Sequence, residues 1–119
     1  MLRTLGALAA IGCVLAACSS PAPHTNPVVA KEQAAVAPLK VKYKDVVTGV
    51  DVQGRTLILY VEPNAMYSMD EDAQDAMYVD ALQRWKKAWA SAHPHEHATV
   101  TLSVRDYFGR KISASTAKV

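Results

Sequence analysis

The sequence predicts an α+β fold: a two-layer sandwich in the order β-β-α-β-β, with one amphipathic helix on a four-stranded, mainly antiparallel sheet. Three observations carry that expectation. Residues 56–61 read TLILYV, apolar on both faces, as a strand interior to a sheet does. From Ala73 to Ala92 the apolar residues recur at three- and four-residue spacing, the period of a helix face. Residues 99–105 alternate polar and apolar, the period of a half-buried strand.

The first two strands form a hairpin. Val46, Thr48, Val50 and Val52 alternate with Val47, Gly49, Asp51 and Gln53, and Gln53-Gly54 supplies the turn, glycine being free to take positive φ. Pro63-Asn64 ends the second strand. Ser68-Met69-Asp70-Glu71 then has the form of a capping box, with Ser68 at the cap and Glu71 three residues on. Asp70, Glu71, Asp72 and Asp75 load the start of the helix, and Arg84, Lys86 and Lys87 load its second half, both in the sense the helix dipole favours. Ala73, Met77, Ala81, Trp85, Ala88, Trp89 and Ala92 form one stripe, widened by Tyr78 and Leu82, and Pro94 stops the helix near Ala92.

The second hairpin follows. Val100, Leu102 and Val104 face inward, and Thr99, Thr101, Ser103 and Arg105 are expected on a wet outer face. Asp106-Tyr107-Phe108-Gly109 turns the chain. The return strand is expected from Arg110 to about Ala114, with Ile112 and Ala114 facing in, Lys111 and Ser113 facing water, and a frayed tail to Val119.

These elements place a small α+β domain at residues 40–119. Before it, residues 18–39 hold Pro21, Pro23, Pro27 and Pro38 among Ala, Ser, Thr and Asn, which is expected to make a tether. About 20 flexible residues span roughly 25 Å. Lys31-Glu32-Gln33-Ala34-Ala35 offers a helical turn too short to persist alone.

Residues 1–17 have the three-part layout of a secretory signal: Arg3 at a positive start, an almost wholly apolar run from Leu5 to Val14, then small Ala16 and Ala17. The run is too short for a membrane span, which needs ~20 residues. Leu15-Ala16-Ala17-Cys18 resembles the lipobox of bacterial lipoproteins, a resemblance that covers residues 1–20. It implies cleavage before Cys18, diacylglycerol on the Cys18 thiol and a fatty acid such as palmitate on the new amine. Each buried CH₂ contributes ~0.8 kcal/mol and stable anchoring needs more than one chain, a condition such a Cys18 meets. The implied location is a cell membrane, on its extracytoplasmic side. In a Gram-negative cell Ser19 implies sorting to the periplasmic face of the outer membrane.

The chain has two cysteines, Cys13 and Cys18. On this reading Cys13 leaves with the signal and Cys18 is blocked by lipid, so the mature chain has no disulfide, thiolate metal site or cysteine nucleophile. Removing 17 of the 119 residues leaves 102, and loss of Arg3 from the 13 Lys and Arg leaves 12 cations against 11 Asp and Glu. So even a balance argues against nucleic acid as a partner and against a polybasic membrane patch.

One segment suggests metal chemistry. His93, His95 and His97 stand two apart, so an extended chain would put three imidazoles on one face, able to hold Zn²⁺, Cu²⁺ or Ni²⁺ with Glu96 or water. The other reading is a polar loop after the helix, with His93 helping to cap it. The acidic run at Asp70–Asp75 lacks the glycine and distal glutamate of a calcium loop, and a helix N-terminus accounts for it. Trp85 and Trp89, at helical spacing, read as core. Tyr107 and Phe108 beside a turn glycine are either edge-of-core residues or contacts for a partner, and with Arg105 and Arg110 they are the candidate contact patch.

Catalytic signatures are lacking: no G-x-S-x-G elbow and no glycine-rich phosphate loop. One helix on a small sheet also leaves little room for a substrate cavity. The leading expectation is therefore a non-enzymatic, membrane-anchored envelope lipoprotein, needing no cofactor, that binds another envelope protein as an assembly or accessory factor. The alternative is a metal-binding lipoprotein using His93, His95 and His97.

Overall fold

The computed structural model describes residues 26–119. The signal segment, the lipobox with Cys18, and the tether up to Thr25 lie outside them. The described chain runs α1 (Pro27–Val36), α2 (Pro38–Lys42), β1 (Val47–Gln53), β2 (Thr56–Val61), α3 (Pro63–Tyr67), α4 (Glu71–Ala92), β3 (Thr99–Asp106) and β4 (Lys111–Lys118). The four strands make one sheet in sequence order, β1-β2-β3-β4. Both hairpins are antiparallel, and β2 and β3 run parallel because the chain returns through α4 between them. The class is α+β, with one long helix packed on a mainly antiparallel sheet.

The hydrophobic pattern explains the layers. Across the helix-covered face, Val52, Leu57, Leu102 and Ser115 form one cross-strand row, and Val50, Leu59, Val104 and Ser113 form the next. Against these rows α4 buries Met77, Ala81, Trp85, Ala88 and Trp89, five members of the stripe read from the sequence. At 1.5 Å per residue α4 is ~33 Å long, enough to cross the whole sheet. The β1–β2 hairpin turns on Gly54 at φ +60°, the first of two central residues, as a type II′ turn requires.

The largest departure is at the N-terminal side. Residues 26–39 were expected to be tether, yet α1 and α2 are helices docked on the domain, and Glu32, Val36 and Leu39 are buried. Both prolines open a helix, where a missing N–H breaks no bond. Asn26 caps α1 by accepting the Val28 N–H at 2.8 Å. Counting prolines overlooked their position, and the domain begins by Pro27 rather than residue 40.

Three smaller expectations are also corrected. The cap of α4 is Asp70, whose carboxylate accepts the Ala73 N–H at 2.8 Å; Ser68 instead ends α3 and donates to the Asn64 carbonyl. β4 runs on to Lys118, and the Val119 N–H donates to Ala98, so this end is paired with β3 rather than frayed. A register shift between Val104 and Arg105 inserts a residue into the hairpin, so Ile112 packs on the core while Ala114 pairs with Ser103 on the outer face and is exposed. The outer face is also drier than expected along its centre. Ile58 and Ser103, side by side there, are 1% and 4% exposed, and the Arg105 guanidinium donates to the Ser103 hydroxyl at 3.1 Å.

Candidate functional site

The β3–β4 turn presents the most distinctive surface. Tyr107 and Phe108 are 58% and 73% exposed, their rings tilted against each other with centroids 4.8 Å apart. Exposed aromatics at a turn would ordinarily be loose, and Asp106 holds these in place. Its carboxylate, nearly buried at the end of β3, accepts the Phe108 N–H at 2.9 Å, the Arg110 N–H at 3.0 Å and the Arg110 guanidinium at 2.9 Å. Burial alone would push the Asp106 carboxyl up; these donors outweigh it and hold it below the usual range. Gly109, at φ +84°, makes the turn that no side-chain-bearing residue takes easily. The Arg110 guanidinium also lies 5.7 Å from the Phe108 ring.

Beside the tip, Tyr67 and Pro63 from α3 face Asp106, Arg110, Lys111 and Ile112 across a groove of about 370 Å³. Tyr67 is 65% exposed. The surface thus gathers aromatic and cationic groups from two segments about 40 residues apart. Of the four candidate contacts, Tyr107, Phe108 and Arg110 share the tip. Arg105 lies on the outer sheet face, half-buried and bonded to Ser103. Tyr67 was missed because a short helix ending the β2 connection has no periodicity to read. Asp106 was within reach: an aspartate three residues before glycine is the pattern of an Asx-type turn.

The three histidines do not converge. His93 ends α4, its backbone N–H donating to the Trp89 carbonyl, so the capping role is realised. Its ring stacks on Trp89 with centroids 4.2 Å apart, its Nε2 lies 2.8 Å from Glu32 Oε2, and its Nδ1 lies 3.4 Å from Glu96. His95 is exposed at φ +70°, and His97 Nδ1 lies 3.3 Å from the Val119 carbonyl. Among the described residues no three His, Cys, Asp or Glu side chains gather as a metal site would need. Cys18 lies outside the described residues.

Helix α1 also shapes concave surface. A hollow of about 560 Å³ lies between α1 and α4 against Ala35, Asp80, Arg84 and Ser91. The expectation of little cavity volume assumed a single helix, and α1 supplies the second wall. Asp80 accepts hydrogen bonds there from Lys42 at 2.7 Å, Tyr43 at 2.6 Å and Arg84 at 3.0 Å. Burial raises its carboxyl, and the three donors bring it down to about 2. No described helix is long and apolar enough to cross a membrane. Comparison with family models, characterised proteins and solved structures finds no match for this chain.

Proposed function

We propose that this chain is a membrane-anchored envelope lipoprotein whose domain acts without catalysis, by binding another protein of the envelope. The anchor rests on the lipobox-like Leu15-Ala16-Ala17-Cys18. The observation that carries the binding role is the ordered, exposed Tyr107–Phe108 pair. Aromatic rings held rigid on the surface lose little freedom when a partner covers them, which is what makes aromatics and arginine effective interface anchors. A turn that only had to join two strands would need neither ring. The Asp106 hydrogen bonds supply the rigidity, and Arg110 and Tyr67 extend the patch.

The test is photo-cross-linking in intact cells. A benzophenone side chain at position 108 should yield an adduct with one envelope protein, and Phe108→Ala should weaken co-purification of that protein. Mass spectrometry of the mature N-terminus should show acylated Cys18. The reading fails if no adduct forms and the purified chain instead turns over a substrate or holds stoichiometric metal. It also fails if the mature protein starts at another residue without lipid.

A further inference from the structure

The two edges of the sheet are treated differently. Along β1 the outer edge is closed by one side chain from α1. Gln33 Nε2 donates to the Val50 carbonyl at 3.0 Å, and Gln33 Oε1 accepts the Val52 N–H at 3.2 Å. The amide stands where the peptide group of a further strand would stand. Among the described residues β4 has no such cover. The Val119 N–H donates to Ala98 across the β3–β4 ladder, and hydrogen-bonded pairs alternate in an antiparallel ladder. Ser113, Ser115 and Ala117 therefore turn their backbone groups to β3. Short of the register shift at Ile112, the residues Ala114, Thr116 and Lys118 turn theirs outward, three alternate residues on a strand with no proline.

Charge selects what can add there. From Tyr107 to Val119 the side chains include Arg110, Lys111 and Lys118 and no Asp or Glu. Any full-length antiparallel pairing of two copies would bring Lys118 of one beside Arg110 and Lys111 of the other, like charge on like. The edge thus opposes a second copy of itself. The same cations, one group at each end, suit a strand that carries carboxylates. An added strand would also run past Arg110 to the aromatic tip.

We propose that the outer edge of β4 accepts an extended, acidic segment of a protein partner as a fifth strand. The proposal rests on the partner-binding reading above and names the surface and the chemistry of the segment. Main-chain hydrogen bonds to Ala114, Thr116 and Lys118 supply affinity, and carboxylates near Lys111 and Lys118 supply selectivity.

Amide hydrogen exchange on the mature chain in detergent micelles tests it. The probe is an octapeptide of alternating Thr and Val with Asp at both ends, and its control carries Lys at both ends. The acidic peptide should slow exchange at Ala114, Thr116 and Lys118 by about tenfold or more and leave Ser113, Ser115 and Ala117 unchanged. The Lys peptide should protect nothing, and the double variant Lys111→Glu, Lys118→Glu should reverse the preference. Ala114→Pro removes an outward N–H without touching the β3 ladder, so it should stay folded and lose the protection. Protection that ignores the charge reversal, that falls on Val50 and Val52, or that is absent overturns the proposal. Protection that grows with protein concentration without peptide assigns the edge to a second copy and overturns it too. A cross-link at position 108 without β4 protection sinks the strand proposal alone and leaves the broader reading standing.

Discussion

The indole N–H of Trp85, in the middle of α4, donates to the Arg55 carbonyl in the β1–β2 turn at 3.0 Å. The same carbonyl accepts the Thr101 N–H of β3 at 2.9 Å. One oxygen therefore ties the helix, the first hairpin and the parallel pair together, beneath a fully buried side chain. Trp85→Ala should cost ~3 to 5 kcal/mol through the cavity it leaves, enough to unfold most of a domain this size. Trp85→Phe should cost less, ~1 to 2 kcal/mol, because Thr101 still satisfies the Arg55 carbonyl. Urea unfolding followed by circular dichroism measures both, and a fully stable Trp85→Ala protein would contradict the packing described.

The two candidate caps of α4 separate cleanly. Asp70→Ala removes the acceptor for the Ala73 N–H and should cost ~1 kcal/mol. Ser68→Ala removes only an exposed bond to the Asn64 carbonyl and should stay within ~0.5 kcal/mol. Equal losses in thermal unfolding would put the cap back at Ser68.

Asp80 makes stability depend on acid. Its carboxyl, raised by burial but lowered further by Lys42, Tyr43 and Arg84, sits at about 2 against an ordinary 3.8. Over that window the unfolded chain binds the proton more readily, so stability rises with pH there. The contribution is complete above ~pH 5 and is lost as pH falls from about 3.8 to about 2. Lys42 is half exposed, which screens the pair, so the loss should be ~1 kcal/mol. Asp80→Asn should be less stable than the parent at pH 7 and equal to it near pH 2. A difference that persists at pH 2 would show that shape rather than charge is at work.

Glu32 holds α1 through His93. Its carboxylate is 2% exposed, and His93 Nε2 is its hydrogen-bonding partner at 2.8 Å. His93→Ala leaves that buried carboxyl without this partner and strips the stack from Trp89, so it should cost ~3 kcal/mol. Glu32→Gln keeps a polar partner for the ring and should cost ~1 kcal/mol. Exchange of the α1 amides should quicken in His93→Ala before the sheet amides respond. Uniform quickening across the domain would mean that α1 does not open separately.

How far the sequence reached follows from what its signals report. Periodicity reports faces. The stripe on α4, the interior strand at 56–61 and the order of the four strands around the long helix were legible because each buries one side against a neighbour. Position within an element is a finer property. Pro27 and Pro38 counted as breakers but serve as helix starts, and Ser68 fitted a capping pattern that Asp70 fulfils. The inserted residue at Val104/Arg105 changes which side of β4 faces in, and alternation alone gives no sign of it. At the candidate site, Tyr107, Phe108 and Arg110 stood together in the sequence and stand together in space. Tyr67 joins them only through the path of the chain, and Glu32 meets His93 from 61 residues away.

The last prediction separates the rings of the tip from the turn that carries them. Phe108 is largely exposed, so Phe108→Ala should leave unfolding within ~0.5 kcal/mol of the parent while weakening partner capture. Asp106→Ala keeps both rings but removes the acceptor for the Phe108 N–H, the Arg110 N–H and the Arg110 guanidinium. The turn should then sample many conformations, and the Phe108 and Arg110 amides should exchange faster. If rigid presentation matters, capture should fall in Asp106→Ala although every contact residue remains, because each binding event must now re-order the turn. Partial recovery in Asp106→Asn, which retains a side-chain oxygen for the two backbone N–H groups, would tie the loss to turn order rather than to charge. Undiminished capture in Asp106→Ala with loss in Phe108→Ala would mean that the rings alone carry the contact.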